Sequence, residues 1–277
     1  MFENWMIQKD WIRHAVKSGY VMMFAAVLAA GARGNLVQQA GPGQPAEQEA
    51  GVAWAETAGM AAVMESESGE ALAEETAGLT VDGQDSHMAE ILAIEAAIVP
   101  GQYPIMGESS IQVQQMTDYF QTGGVPYPAS ELGEGGAPDI ETFCQIYYEE
   151  ASAEGVRPEV AFAQTMKETG FLQYGGDASI TQYNFAGLGT TGGGVPGNSY
   201  PDVRTGVRAQ IQHLKAYATE EALNGACVDD RYGYVTKGCA PYVEWLGQKE
   251  NPQGYGWATG ENYGYDIVEM IHSMRGL

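Results

Sequence analysis

The chain has 277 residues, 44% of them hydrophobic, with 16 tyrosines and a formal net charge of −23. That is enough material for a buried core, in one large domain or two smaller ones. The excess of acid excludes a nucleic-acid partner, since no basic face exists to replace phosphate counterions, and it gives no electrostatic grip on an anionic surface.

At the N-terminus, Lys9, Arg13 and Lys17 precede the uncharged run Ser18–Ala32, which ends in small residues. This is the pattern of an export signal over residues 1–32, with Ala30 and Ala32 before a cleavage site. The alternative is an uncleaved anchor helix, although the run of 15 residues is short against the roughly 20 needed to span a bilayer. Either way the remainder is expected outside the cytoplasm, touching a membrane only through this segment. Residues 33–104 follow, rich in Ala, Gly, Glu and Gln, with Trp54 the only aromatic before Tyr103. Twelve acidic residues against one basic between Arg33 and Pro100 supply about half of the net charge. Such a segment buries too little apolar surface to offset its ordering entropy, so it is expected to be a disordered acidic linker. Near its end, "SHMAEILAIEAAIVP" has the pattern of one helical patch.

From Ile105 the texture changes to helical periodicity. Ser110 is placed to cap a helix carrying Val113, Met116 and Phe120. After a Gly/Pro-rich loop, Asp139 reads as the N-cap of a helix bearing Ile140, Phe143, Cys144, Tyr147 and Ala151, ending at Gly155. Pro158 suits the first position of "PEVAFAQTMKET", apolar nearly all round and stopped by Gly170. Glycines and turn signals crowd the stretch from Gly170 to Gly206 and indicate a small lobe of short strands or loops. "TGVRAQIQHLKAYA" then turns Val207, Ile211, Leu214 and Ala218 inward, and "YDIVEMIHSM" forms a terminal helix. The whole indicates an α+β domain over 105–277, a helical body with a glycine-rich β/loop lobe and a cleft between them.

Three cysteines are too few for a disulfide framework. Cys227 and Cys239 are spaced to close one loop, or all three remain thiols. The four histidines show no HxxxH spacing, so neither a protein-built zinc site nor a cofactor is expected. A peptidase built on Cys144 and His213 is disfavoured because Cys144 falls on a packing face.

Glu168 stands out. It lies in the last turn of a helix, where the partial negative charge of the terminus opposes a carboxylate and raises its pKa. Apolar neighbours Met166, Phe171 and Leu172 act in the same direction. A carboxylic acid kept protonated near neutrality is what cleavage of a glycosidic bond requires.

The ordered segments "EGVRPEVAFAQTMKETGFLQYGG", "QYNFAGLGTTGG", "YPDVRTGVRAQIQHLKAYA" and "GWATGENYGYDIVEMI" resemble the bacterial glucosaminidase family, endo-β-N-acetylglucosaminidases of peptidoglycan with a lysozyme-like fold. The resemblance covers roughly Ile105 to Leu277. It implies Glu168 as the catalytic acid, Asn184–Gly189, including Phe185 and Gly187, as a cleft-lining segment, and Tyr263 at the catalytic centre. Glycan strands of peptidoglycan are the implied partner, and a secreted or cell-surface location is the implied address. Asp177 is the first candidate for a second carboxylate and Asp202 the next, at about 5–5.5 Å for a retaining nucleophile or about 6.5–9.5 Å for an inverting base. A third route uses the substrate's own acetamido oxygen, with Tyr263 or Asn184 steadying the charge. Tyr183, Phe185, Tyr255, Trp257 and Tyr265 are candidate platforms for sugar rings. A lytic transglycosylase or muramidase on the same fold, or a domain that binds glycan without cutting it, are the competing readings.

Overall fold

The computed structural model describes residues 81–276, and residues 86–276 form one compact unit. The expected signal or anchor segment and most of the expected linker lie outside the described residues. Among those described, no helix is long and apolar enough to cross a membrane.

The first helix, α1 (Val81–Ala96), ends inside the stretch expected to be linker. From there residues 97–107 run as a strap across the domain. Val243 N donates to Tyr103 O at 2.8 Å, Ile105 N to Pro241 O at 3.0 Å, and Arg157 N to Ile105 O at 2.9 Å. Ile91, Tyr103 and Ile105 are buried. The structured unit therefore begins ahead of Ile105, a correction to that expected boundary. Composition over a long window concealed a short segment in which a few apolar residues, Ile91, Tyr103 and Ile105, are buried while Leu92, Ile94 and Val99 stay exposed.

Local caps set most helix boundaries. Asp139 accepts from Thr142 N at 2.7 Å to start α4 (Ile140–Glu154), which Gly155 ends in the left-handed region. Pro158 opens α5 (Pro158–Thr169) and Gly170 closes it at φ 58°. Asp202 accepts from Thr205 N at 2.7 Å to open α6 (Val203–Ala218), where Val207, Ile211, Leu214 and Ala218 are buried as expected. The last helix, α7, spans Tyr263–Arg275. Ser110 does not cap α2 (Val113–Thr122). The N-cap is Gln112, in a reciprocal box with Gln115, and the Ser110 hydroxyl instead donates to Glu95. A short helix, α3 (Ala129–Glu134), precedes Asp139.

All of α5 except Lys167 and Glu168 in its last turn and a half is buried, so it is the centre around which α2, α4, α6 and α7 pack. The stretch from Gly170 to Asp202 holds one 3-10 turn (Ile180–Gln182) and otherwise loops. No extended strand occurs among the described residues, only isolated bridges such as Gly192 with Val195. The domain is thus mostly helical, and the β part of the expected α+β class is absent. Gly187, Gly189, Gly192, Gly193, Gly194 and Gly197 all take positive φ, which breaks a pleated ladder. Cys144, Cys227 and Cys239 are free thiols, so the loop between Cys227 and Cys239 is not closed by a disulfide.

Candidate active site

Glu168 keeps partial solvent exposure at the C-terminal end of α5. Directly beyond it, Gly170, Phe171 and Leu172 turn left-handed in succession, at φ of 58°, 58° and 64°. Each of the two side-chain-bearing residues costs about 1–2 kcal/mol in that conformation. The turn persists because it is overdetermined. Phe171 N reaches Met166 O at 2.9 Å, Tyr174 N reaches Thr169 O at 2.7 Å, and the Thr169 hydroxyl accepts from Leu172 N at 2.9 Å. Phe171 is buried against Tyr119 and Phe120, with ring centroids 5.6 and 6.3 Å away. The strained hook anchors the chain into the core just past the carboxylate.

Tyr263, the first residue of α7, is buried and donates its phenolic proton to Glu168 Oε1. Gln164 Nε2, one helical turn before Glu168, donates to the same phenolic oxygen at 3.1 Å. Lys167 is paired with Asp266 at 2.7 Å, and its ammonium lies 5.5 Å from the Tyr263 ring centroid. Burial pushes the Glu168 carboxyl up to about 7, against the hydrogen bond from Tyr263 and the charge of Lys167, both of which pull it down. Partial exposure and a raised value are compatible, because protein crowds the carboxyl group even where one edge meets solvent. Burial also raises the Tyr263 phenol well above its ordinary range, with the adjacent Glu168 acting in the same direction, so it remains a donor. The result is a carboxylic acid that holds its proton close to neutrality and gives it up readily.

The remaining candidates divide. Asp177 is exposed and its carboxylate accepts from Gly194 N at 3.0 Å, clasping two parts of the glycine-rich loop. Asp202 is occupied as the α6 cap. Asn184 has its amide committed to Leu188 O at 2.8 Å and Asn198 O at 3.1 Å, and its oxygen to Leu188 N at 2.9 Å. It organises the loop and has no group spare for a developing charge, which corrects that expectation. Phe185 is sealed in the core, edge-on to Phe143 at 5.2 Å, and is not a platform. Tyr183 is likewise buried, against Gly135 and Gly206, and Gly187 forms a turn at φ 63°. Alternation within a short loop gives no sign of which rings face inward, which is why these were legible only as aromatics.

Trp257 is nearly buried, at right angles to His213 with centroids 5.0 Å apart and 5.7 Å from Tyr217. Tyr217 lies close enough to act electrostatically on Tyr263, so this aromatic cluster backs the site. Tyr265 is half exposed but sits two residues from Tyr263, about 200° around the helix, and its hydroxyl approaches Gly101 on the strap. It faces away from Glu168. Cys144 is fully buried and its thiol pushed up to about 12 by burial, while His213 is held by Asp229 at 2.6 Å, so the two form no nucleophile and base. No cluster of His, Cys, Asp and Glu among the described residues is arranged to hold a metal. A hollow of about 500 Å³ beside α4 and α6 is lined by Asp202, Arg204 and Arg208 and does not include Glu168.

Residues 144–276 match the family model Glucosaminidase, described as mannosyl-glycoprotein endo-beta-N-acetylglucosaminidase. This C-terminal domain belongs to the glucosaminidase family. An uncharacterized protein of Borreliella burgdorferi is 38% identical over 132 residues, covering 48% of this chain and 61% of that protein. The chain thus spans about three fifths of the length of that relative. No solved structure matches. The family match of the glucosaminidase domain takes in Glu168 and Tyr263 but begins within α4, leaving α1, α2, α3 and the strap outside it.

Proposed function

We propose that the glucosaminidase domain is an endo-acting glycoside hydrolase of bacterial peptidoglycan, acting outside the cytoplasm and cutting the β-1,4 bond after N-acetylglucosamine with Glu168 as general acid. The observation that carries this reading is the Glu168 carboxyl, raised to about 7 by burial and held by Tyr263 at the edge of the helical core. A cleft of the lysozyme-like kind beside Glu168, walled by the glycine-rich loops after α5, would admit the strand.

In the first step Glu168 gives its proton to the leaving glycosidic oxygen as the anomeric C–O bond breaks. The substrate's acetamido oxygen attacks the anomeric carbon and takes up the developing positive charge as a cyclic oxazolinium ion. Water then adds to that carbon, Glu168 as carboxylate receives its proton, and the acetamido group is released with net retention. This route is favoured over a second carboxylate because Asp177 is tied to Gly194 and Asp202 to the start of α6. Tyr263 steadies Glu168 in both ionisation states.

The test is digestion of purified peptidoglycan followed by mass analysis of the reducing ends. N-acetylglucosamine at the new reducing end is expected, with activity falling as pH rises through about 7. Glu168→Gln should lose at least about a hundredfold in rate, the low end for an essential acid. Reducing N-acetylmuramic acid or an anhydro sugar would assign the domain to muramidases or lytic transglycosylases instead. Full activity of Glu168→Gln would remove this residue as the acid.

A further inference from the structure

Behind Tyr263 runs a chain of buried hydrogen bonds whose direction is fixed at its far end. Gln210 on α6 has its Nε2 at 2.9 Å from the carbonyl oxygen of Ala161, a group that only accepts. That contact sets the orientation of the Gln210 amide. Its oxygen consequently faces the Tyr147 and Thr165 hydroxyls, at 2.8 and 2.9 Å. The second hydrogen on Gln210 Nε2 points at Gln164, 2.9 Å away, so the Gln164 atom there must be its oxygen. Gln164 therefore presents Nε2 to Tyr263, and the phenolic oxygen receives. With its oxygen accepting from Gln164, the single phenolic proton goes to Glu168 Oε1. Gln164, Thr165, Gln210 and Tyr147 are all fully buried, so water offers no alternative partner.

We propose that Gln164 and Gln210 are positioning residues that hold Tyr263 as an obligatory donor to Glu168 Oε1, which leaves Oε2 as the oxygen that carries and delivers the acid proton. A carboxyl oxygen that accepts a hydrogen bond from a phenol is the wrong one to be protonated, and only Oε2 lies outside the chain. Neither glutamine side chain is hydrogen-bonded to the Glu168 carboxyl, and both act on it through Tyr263. The inference rests on Glu168 being the acid proposed above. The charged and titratable groups facing the pair are Lys167 on α5, Asp266 on α7 through Lys167, and Tyr217 on α6, and none of them is altered by substitution at Gln164.

The experiment compares Gln164→Glu with Gln164→Met in the full chain, reading the pH dependence of kcat/KM and the split between kcat and KM. Gln164→Glu offers Tyr263 a competing acceptor and turns the last bond around. The alkaline limb should move to higher pH by about one unit, since Glu168 loses a bond that favours its charged form. Gln164→Met keeps the shape but removes the donor, and kcat should fall about tenfold with KM unchanged, as for an interaction felt only in the reacting state. If Gln164→Glu does not fold, Gln164→Met alone decides through the kcat and KM split. Folded Gln164 variants with the wild-type kcat and limb, alongside an inactive Glu168→Gln, would overturn the positioning role and leave the acid assignment standing. An active Glu168→Gln would overturn the acid assignment itself.

Discussion

Glu95 and Arg275 are 180 residues apart in sequence and meet at 2.7 Å, at the end of a helix pair opposite to Glu168. The same Glu95 oxygen accepts from Arg157 at 3.1 Å. Arg157 precedes α5 and Arg275 ends α7, the antiparallel helices whose other ends bring Glu168 to Tyr263. One carboxylate from outside the family match thus clamps the far end of the two elements that build the site. Glu159, fully buried beside both arginines, completes a neutral group of four charges with Tyr103 donating to it at 2.8 Å.

Glu95→Gln is expected to destabilise the domain strongly. Arg157 is 2% exposed and Arg275 14%, and Nε of each is already buried without a partner. Losing the carboxylate leaves one positive charge in excess inside the protein, which costs about 3–5 kcal/mol. For a domain of this size that is roughly 6–20 °C in Tm. Thermal unfolding measures it, and a Tm within about 2 °C of wild type would show that the clamp is dispensable. A fragment beginning at Ile105 should show the same defect, because it lacks the carboxylate altogether.

What the sequence disclosed and what it withheld follow from distance along the chain. Asp139, Gly155, Pro158 and Gly170 act within about four residues of themselves, and each was legible as a boundary. Ser110 carries the same local signal as Asp139 but is claimed by Glu95, and no local rule anticipates that capture. The contact between Glu168 and Tyr263 spans 95 residues, and only the family resemblance, not any spacing rule, pointed to the pair. Gln164 and Gln210 carried a faint signal as amides in helices expected to be largely buried, since a buried amide demands partners. Which partners, and in which direction the bonds run, is a property of three helices packed together.

Gly264→Ala tests how tightly Tyr263 is located. Helix propensity alone favours alanine by about 1 kcal/mol. Packing decides against it, because a Cβ at 264 would stand 2.1 Å from Val243 O and 2.5 Å from Glu244 Cα, both backbone atoms that cannot swing aside. Relief requires the start of α7 to move away from the 3-10 turn Val243–Leu246, taking Tyr263 with it. The expected outcome is a loss of about 1–3 kcal/mol in urea unfolding together with reduced kcat. A variant as stable and as active as wild type would show that α7 tolerates displacement.

Glu168→Gln should stabilise the protein, and by an amount that depends on pH. The carboxyl has its folded value raised from 4.5 to about 7, so between those values the native state holds a proton that the unfolded state has lost. Stability is therefore fully present below about 4.5, declines as pH rises, and is lost to its full extent above about 7. A shift of this size corresponds to roughly 3 kcal/mol at its full extent. Glutamine carries no such penalty and can still accept from Tyr263. Urea unfolding at pH 5 and pH 8 should show the variant close to wild type at the lower pH and more stable by that amount at the higher. An equal difference at both would mean that Glu168 titrates in the native protein as an ordinary solvated carboxylate, and the chemistry proposed for it would lose its physical basis.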